Sequence, residues 1–236
     1  MEIHGVKLGD RPLISYHDHN GDKARPRLMR ALEEGKSVAY ASEAGTPLIA
    51  DPGFDLSRAA AEAGYYVTAA PGASAVITAL TISGLPTDRF LFAGFLPNAS
   101  AARRRGLQGL ADVPATLVFY ESPKRLAAML RDAAENLGAT RMAAVSRELT
   151  KKFEECRRGT LEELAAHYAE NNVKGEVVVL IGRADSPSVS DSDLTSELEG
   201  ALKTMSVKDA AEVVAKAHGM PKRKLYQMAL EMERNS

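Results

Sequence analysis

The sequence predicts an α/β fold with two domains and a small helical extension at its C-terminal end. Short apolar segments typical of buried strands alternate with segments of helical pattern as far as residue 182, and helical patterns alone follow the next linker. Two strand–helix junctions are rich in glycine, proline and small residues. Ligands bind at such junctions in open α/β sheets, so these observations also predict a binding site.

Composition restricts the functional class. The 236 residues carry a net charge of −1, so any surface that attracts nucleic acid must be local. The single cysteine, Cys156, excludes an internal disulfide. No apolar segment has the length of a membrane span, and the first residues lack the apolar core of a signal peptide. We therefore expect a cytoplasmic protein with no membrane contact.

The first unit is a strand at residues 12–16, a polar loop at 17–20 and a helix ending near Gly35. Two histidines flank an aspartate in this loop, which admits a metal site at His17, Asp18 and His19. Neither a third spaced ligand nor a cysteine supports that interpretation, and a loop with Asn20 as helix N-cap is the alternative. No metal is expected.

The second unit is a strand at 37–41, a loop at 42–53 and a helix at 54–64. A glycine in the loop lets a ligand approach the backbone, and the helix that follows offers unpaired N–H groups. A proline-rich turn without a ligand is the alternative. This loop contains Gly45, Thr46, Pro47 and Asp51.

The third unit repeats this pattern, with a strand at 66–70, a loop at 71–75 and a helix at 76–82. Its loop contains Gly72, Ser74 and Ala75. If the strands are neighbours, the two small-residue loops form the floor of one cleft. Such a floor suits a nucleoside-sized ligand held largely by backbone groups.

Two further strands lead into charged segments. After a strand at 91–97, a helix opens with Arg103, Arg104 and Arg105, which could contact phosphate or form a solvated face. After a strand at 116–120, charged groups crowd the strand end, where catalytic groups often lie. A capped helix with a surface ion pair is the alternative there. These charged groups are Glu121, Lys124 and Arg125.

The second domain continues with a strand at 141–145, a charged segment at 147–152 and an adjacent strand at 153–158. A helix at 161–170, with Thr160 as N-cap, and an apolar strand at 177–182 complete it. The charged segment contains Glu148, Leu149 and Lys151.

A serine-rich linker at 183–192 marks a boundary, and helices are predicted at 193–204, at 207–218 and from Pro221 onward. Gly219 ends the second of these helices. The third carries three cations, Lys222, Arg223 and Lys224, in its first turn, where an anionic partner would offset their repulsion by the helix dipole. Helix, glycine turn and basic helix resemble a helix-turn-helix. A small capping bundle without RNA contact is the alternative.

Several of these segments together resemble one family. They are residues 42–53, 71–75, 83–90, 94–97, the Phe-Tyr-Glu-Ser-Pro-Lys-Arg segment at 119–125, the Arg-Glu-Leu-Thr-Lys segment at 147–151 and Lys-Gly-Glu at 174–176. In this order they are similar to the bacterial 16S rRNA cytidine 2′-O-methyltransferases, the small-subunit methyltransferase I type of the tetrapyrrole methylase superfamily. The resemblance covers nearly the whole chain.

The resemblance implies two α/β domains, at 1–114 and 115–184, with S-adenosylmethionine in the cleft between them, and a C-terminal extension at 185–236. It also implies a homodimer and a substrate cytidine in the decoding centre of the small ribosomal subunit. Carried onto matching positions, the loop residues named above border the cofactor. Tyr120, Glu148, Leu149 and the strand after Gly175 close the cleft from the second domain.

The implied chemistry is methyl transfer from a sulfonium to a ribose hydroxyl, which requires positioning and a proton acceptor. Glu121 and Glu148 are the candidate bases, and the cations Lys124, Arg125, Arg147 and Lys151 are candidates for holding phosphate or lowering the hydroxyl pKa. One departure from the family is expected: the chain opens at residues 1–6 where the family has already completed a first strand–helix unit. A small-molecule methylase of the tetrapyrrole type and an inactive RNA-binding form are the alternatives.

Overall fold

The computed structural model describes residues 5, 7–17, 19–184, 191–218 and 220–234, without the side chains of 191–193 and 234. The predictions for Asp18, Gly219, residues 1–4 and 6, and most of the linker, 185–190, lie outside the described residues.

In the described residues, helices α1 to α9 and strands β1 to β5 have the following bounds. The helices are Gly21–Glu33, Phe54–Glu62, Ala75–Ser83, Ser100–Gln108, Leu126–Leu137, Leu161–Glu170, Asp191–Leu202, Val207–His218 and Lys222–Arg234. The strands are Phe90–Phe95, Thr116–Glu121, Met142–Arg147, Glu155–Thr160 and Val177–Ile181. The α/β class and the helical C-terminal extension are therefore confirmed.

The five strands form one mixed sheet in the order β1-β2-β5-β3-β4. Strands β1 and β2 are parallel, and the remaining neighbours are antiparallel. Since β1 pairs with β2, residues 90–95 share a sheet with the strands of the predicted second domain. The division into domains at 114/115 stays a prediction.

Alternating side chains give the sheet two buried faces. On one face, Leu117 and Phe119 of β2 pack with α4, α5 and α6. On the other face, Val118 and Tyr120 pack with α3. The site described below lies on the α3 face.

The strands predicted at 12–16, 37–41 and 66–70 are wrong. Among the described residues no strand precedes Phe90, and no backbone ladder joins these three segments. A strand exists only where a second extended segment satisfies its N–H and C=O groups, and apolar pattern alone does not supply that neighbour. Tyr66, for example, is 90% exposed. The helices predicted after these segments do form, and α1 and α2 bury Leu28 and Leu56.

The C-terminal helices α7, α8 and α9 enclose a core of their own. Leu194 and Leu198 of α7 are buried with Val214 of α8 and Leu225 and Ala229 of α9. Three helices that each bury one apolar stripe explain why the tail folds as a bundle. No helix within the described segments is both long and apolar enough to span a membrane.

Arg158 of β4 ties α3 to the sheet, and its replacement gives a first testable prediction. Its guanidinium donates hydrogen bonds to the carbonyl oxygens of Ser83 (3.0 Å) and Ile82, the last carbonyls of α3. Arg158→Met should therefore lower the free energy of unfolding by about 1–3 kcal/mol, because charged hydrogen bonds to helix ends contribute that much. Urea unfolding measures this effect. Arg131→Met, at an exposed position on the outer face of α5, is the matched control and should change stability by less than about 0.5 kcal/mol.

Candidate active site

The two small-residue loops lie side by side, as their sequences suggest. The backbone N–H and the hydroxyl of Thr46 both donate to the carbonyl oxygen of Ala73, at 2.8 and 3.0 Å. A side chain at Gly72 would come into contact with the Thr46 hydroxyl. The loops therefore meet through backbone groups, although the strands predicted before them are absent.

The first loop also contains strained backbone. Leu48 and Ala50 have φ values of 70° and 57°, in the left-handed region that non-glycine residues rarely occupy. Each left-handed residue lowers the stability of the folded state by about 1–2 kcal/mol. Strain of this kind clusters at ligand sites, which supports a functional role for the loop containing Gly45, Pro47 and Asp51.

Tyr120, near the carboxyl end of β2, connects these loops to the sheet. Its phenol lies near the Ser74 side chain and the Val76 backbone at the start of α3. Burial raises the pKa of Tyr120, and the negative charges of Asp51 and Glu176 raise it further. The phenol is therefore neutral at physiological pH, with the two carboxylates of Asp51 and Glu176 near it.

Hydrogen bonds and ion pairs join the segment around Glu148 to the segment around Gly175. Glu148 Oε1 accepts hydrogen bonds from the Glu176 backbone N–H and from Lys151 Nζ, both at 3.0 Å. Lys151 Nζ also reaches Glu176 Oε2 at 2.9 Å. These bonds from Lys151 and the Glu176 N–H hold the pKa of Glu148 below its usual value, so the carboxylate is ionised. Leu149 packs in the apolar cluster under α3.

Glu121, the other candidate base, belongs to the opposite face of the sheet. It directly follows Tyr120 in β2, so its side chain points toward the α4/α5 layer, where it is 3% exposed. Its Oε1 accepts from the Ser122 N–H at 2.7 Å and lies 3.3 Å from Arg125 Nε. Burial raises the pKa of Glu121, against the lowering effects of Ser122 and Arg125. The structure does not bring Glu121 together with Tyr120 and Glu148.

Two of the arginines predicted to contact phosphate, Arg125 and Arg103, instead bind groups within the protein. The Arg125 guanidinium donates to the carbonyl oxygens of Leu96 (2.7 Å) and Pro97 and to the Asn98 side chain, so it fixes the turn after β1. Arg103 is 6% exposed and is paired at 2.6 Å with the buried carboxylate of Asp132. A guanidinium enclosed in this way does not reach solvent phosphate, which corrects the RNA-binding prediction for Arg103.

The other predicted cations differ in exposure. Arg104 also pairs with Asp132, at 2.9 Å, but about half of its side chain is exposed. Lys124 is exposed at the start of α5. In the C-terminal bundle, Lys222 is paired with Glu212 of α8. Arg223 and Lys224 are exposed to solvent. Within the described segments, no group of three or more potential metal ligands is found.

Sequence interpretation missed the aromatic residues beside Tyr120. The ring centroids of Phe92 and Phe95 lie 4.8 and 5.7 Å from that of Tyr120, in edge-to-face geometry. Phe92 is partly buried, whereas Phe95 is 58% exposed. The available signal was the row of aromatic residues at 90, 92 and 95 on a strand beside β2.

Comparison with known protein families matches two parts of the chain. Residues 10–165 match the family of Tetrapyrrole (Corrin/Porphyrin) Methylases. Residues 189–233 match the RsmI C-terminal HTH domain. The second match covers the α7–α9 bundle, in agreement with the helix-turn-helix suggested by its sequence.

Curated relatives match across nearly the whole chain. Ribosomal RNA small subunit methyltransferase I of Mesorhizobium japonicum is 47% identical over 237 residues, covering 100% of this chain and 80% of that protein. The proteins of the same name from Synechocystis and Escherichia coli O157:H7 are 43% and 40% identical, each over 94% of this chain and over 81% and 78% of their own lengths.

Solved structures show the same fold at much lower identity. The methyltransferase CobJ aligns with a TM-score of 0.56 at 19% identity, over 80% of this chain and 82% of its own. A conserved hypothetical protein from Aeropyrum pernix K1 aligns with a TM-score of 0.51 at 17% identity, over 96% of this chain and 80% of its own. The geometry on the α3 face thus belongs to a fold shared with methyltransferases.

Proposed function

Since the chain belongs to the ribosomal RNA small subunit methyltransferase I family of the tetrapyrrole methylases, we propose that it methylates a cytidine 2′-hydroxyl in the decoding centre of 16S rRNA. The methyl donor is S-adenosylmethionine. The observation that carries the proposal is the relationship over the whole chain, which includes both the methylase part and the helix-turn-helix tail. The protein acts in the cytoplasm, on the small ribosomal subunit, as a homodimer.

The residues on the α3 face suit S-adenosylmethionine by their chemistry. The loops at 45–47 and 72–75 present backbone groups and small side chains to a ligand. Ser74, at the N-cap of α3, makes no hydrogen bond that caps the helix, so N–H groups of the first turn remain for a ligand carboxylate or hydroxyl. Asp51 and Glu176 place negative charge near Tyr120, which suits the positive sulfonium.

When bound, S-adenosylmethionine supplies an electrophilic methyl group, and the protein's own residues position the reactants and accept a proton. Tyr120 packs against α3 and lies beside the loop at 72–75. Glu148 is ionised and is connected to Glu176, whose charge acts on Tyr120. Of the two candidate bases, we assign the ribose proton to the Glu148 carboxylate and a structural role to Glu121.

A pair of isosteric replacements tests this assignment. Glu148→Gln should slow single-turnover methyl transfer about 100-fold, because an amide does not accept the hydroxyl proton. Glu121→Gln should stay within about three-fold of the wild-type rate, because its carboxyl lies on the other face of the sheet. Both variants should bind S-adenosylmethionine with near wild-type Kd in equilibrium titrations. The reverse order of the two rates would make Glu121 the base.

Binding of the RNA is assigned to the exposed cations of the C-terminal bundle and of α4. Arg223 and Lys224 extend from the first turn of α9, the second helix of the helix-turn-helix pair. Arg104 and Lys124 add exposed positive charge on the α4 and α5 layer. Contacts of this kind are phosphate contacts, so subunit binding should weaken steeply with salt.

The experiment that tests the function is transfer from labelled S-adenosylmethionine to small ribosomal subunits that lack the modification, followed by nucleoside analysis. A labelled 2′-O-methylcytidine supports the proposal. Label on another nucleoside or position would correct the target while retaining an rRNA methyltransferase. Transfer to a tetrapyrrole and not to subunits would overturn the proposal in favour of a small-molecule methylase.

A further inference from the structure

Strand β1 contains a bulge directly beside the candidate active site. Phe92 pairs with Val118, but the next aligned pair is Phe95 with Tyr120, so β1 advances three residues while β2 advances two. Gly94, with φ of +65°, provides the left-handed conformation that such an irregularity requires. β-Bulges often lie next to active sites, where they redirect a side chain.

The bulge determines the direction of the Phe95 ring. In a regular strand, residues three apart point to opposite faces of the sheet, so Phe92 and Phe95 would separate. Here both rings contact Tyr120 edge to face, with centroids 4.8 and 5.7 Å away. Phe95 is therefore on the α3 face, with Tyr120, and not in the apolar layer beneath α4 and α5.

The environment of Phe95 leaves its ring open to a ligand. Phe92 packs in the apolar cluster under α3, whereas Phe95 remains 58% exposed at the carboxyl end of β1. Its contact with Tyr120 restrains the ring without covering it. An aromatic ring held beside the candidate site in this way is a surface on which a planar group can stack.

We propose that Phe95 stacks against an unstacked nucleobase of the substrate RNA and thereby places the neighbouring ribose beside Tyr120 and the start of α3. The inference rests on the proposed function. An enzyme that modifies one nucleotide of folded RNA must separate that nucleotide from its neighbours, and aromatic side chains compensate for the lost stacking. The adenine of S-adenosylmethionine has the same stacking chemistry, and the experiment separates the two.

The test compares two replacements at Phe95 with one at Phe90, which lies at the other end of β1 and is 43% exposed. Phe95→Leu keeps an apolar side chain but removes the ring, Phe95→Tyr keeps the ring, and Phe90→Leu is the matched control. The measured quantities are the Kd for unmodified small ribosomal subunits, the Kd for S-adenosylmethionine and the KM for subunits in methyl transfer.

Phe95→Leu should weaken subunit binding about ten-fold, as expected for the loss of one stacked base, with the Kd for S-adenosylmethionine unchanged. Phe95→Tyr and Phe90→Leu should retain wild-type values. Unchanged subunit binding in Phe95→Leu would overturn the inference. A higher Kd for S-adenosylmethionine with unchanged subunit binding would also overturn it and assign the ring to the cofactor.

The inference and the proposed function fail in different ways. Absence of 2′-O-methylcytidine with the wild-type protein counts against the function alone. The subunit Kd of Phe95→Leu, measured without turnover, still decides whether the ring contacts RNA.

Discussion

Gly175→Ala should lower the free energy of unfolding by about 3 kcal/mol and reduce methyl transfer about 100-fold. Gly175 has φ of +94°, where an alanine is strained, and a methyl group there would overlap the Glu148 carboxylate. Glu148 does not move aside freely, because its Oε1 is held by the Glu176 N–H and by Lys151 Nζ. The change therefore adds backbone strain and also breaks the link between the two segments.

Gly138→Ala separates these two effects. Gly138 also has a positive φ, +108°, but nothing lies within 4 Å of the position that its new methyl group would occupy. The Gly138→Ala variant should lose about 1–2 kcal/mol of unfolding free energy from backbone strain alone, and its rate of methyl transfer should be unchanged. Denaturant unfolding and single-turnover transfer measure both quantities. Equal stabilities and equal rates for the two variants would show that contact between Gly175 and Glu148 has no role.

The loops of the site could be predicted from the sequence because their chemistry is local. Glycine, proline and small residues determine where backbone can approach a ligand, and the loops at 45–47 and 72–75 do meet. The absence of strands before these loops could not be predicted, because a strand depends on a distant partner that its own residues do not specify. The segments at 37–41 and 66–70 are apolar, but no strand in the described residues pairs with them.

Side-chain direction explains the remaining differences. Tyr120 and Glu121 are adjacent in β2 and therefore point to opposite faces. The sequence predicted this strand only as far as residue 120, whereas β2 extends to Glu121. The orientation of Phe95 was not available, because it depends on the bulge at residues 93–94. The burial of Arg103 depends on Asp132, a residue on another helix with no signature in the local sequence.

Asp132→Asn should lower the free energy of unfolding by about 3–5 kcal/mol, because it leaves the buried guanidinium of Arg103 without its counter-charge. Asp132 is 1% exposed. Its carboxylate accepts hydrogen bonds from Arg103 Nε at 2.7 Å and from Arg104 Nε at 2.9 Å. These bonds join α4 to α5 beneath the sheet. Adding Arg103→Met to Asp132→Asn should recover part of the loss, since the unpaired charge is then removed as well.

Glu135→Gln is the matched control, since this acid lies one turn away on α5, is half exposed and reaches Arg104 only at 3.6 Å. It should change stability by less than about 0.5 kcal/mol. An equally small effect of Asp132→Asn, measured by urea unfolding at neutral pH, would show that the Arg103 pair does not hold α4 in place.

The same carboxylate predicts how stability depends on pH. Burial raises the pKa of Asp132, but hydrogen bonds from Arg104 and Arg103 outweigh burial and hold the pKa below its usual value. A group whose pKa is lower in the folded protein stabilises the fold above its unfolded pKa of about 3.9, and this contribution is lost as the pH falls through the folded pKa. Wild-type protein should therefore lose stability below about pH 4 more steeply than Asp132→Asn, which has no proton to gain at this position. Parallel acid-unfolding curves for the two proteins would contradict a lowered pKa at Asp132 and, with it, the strength of the pair that joins α4 to α5.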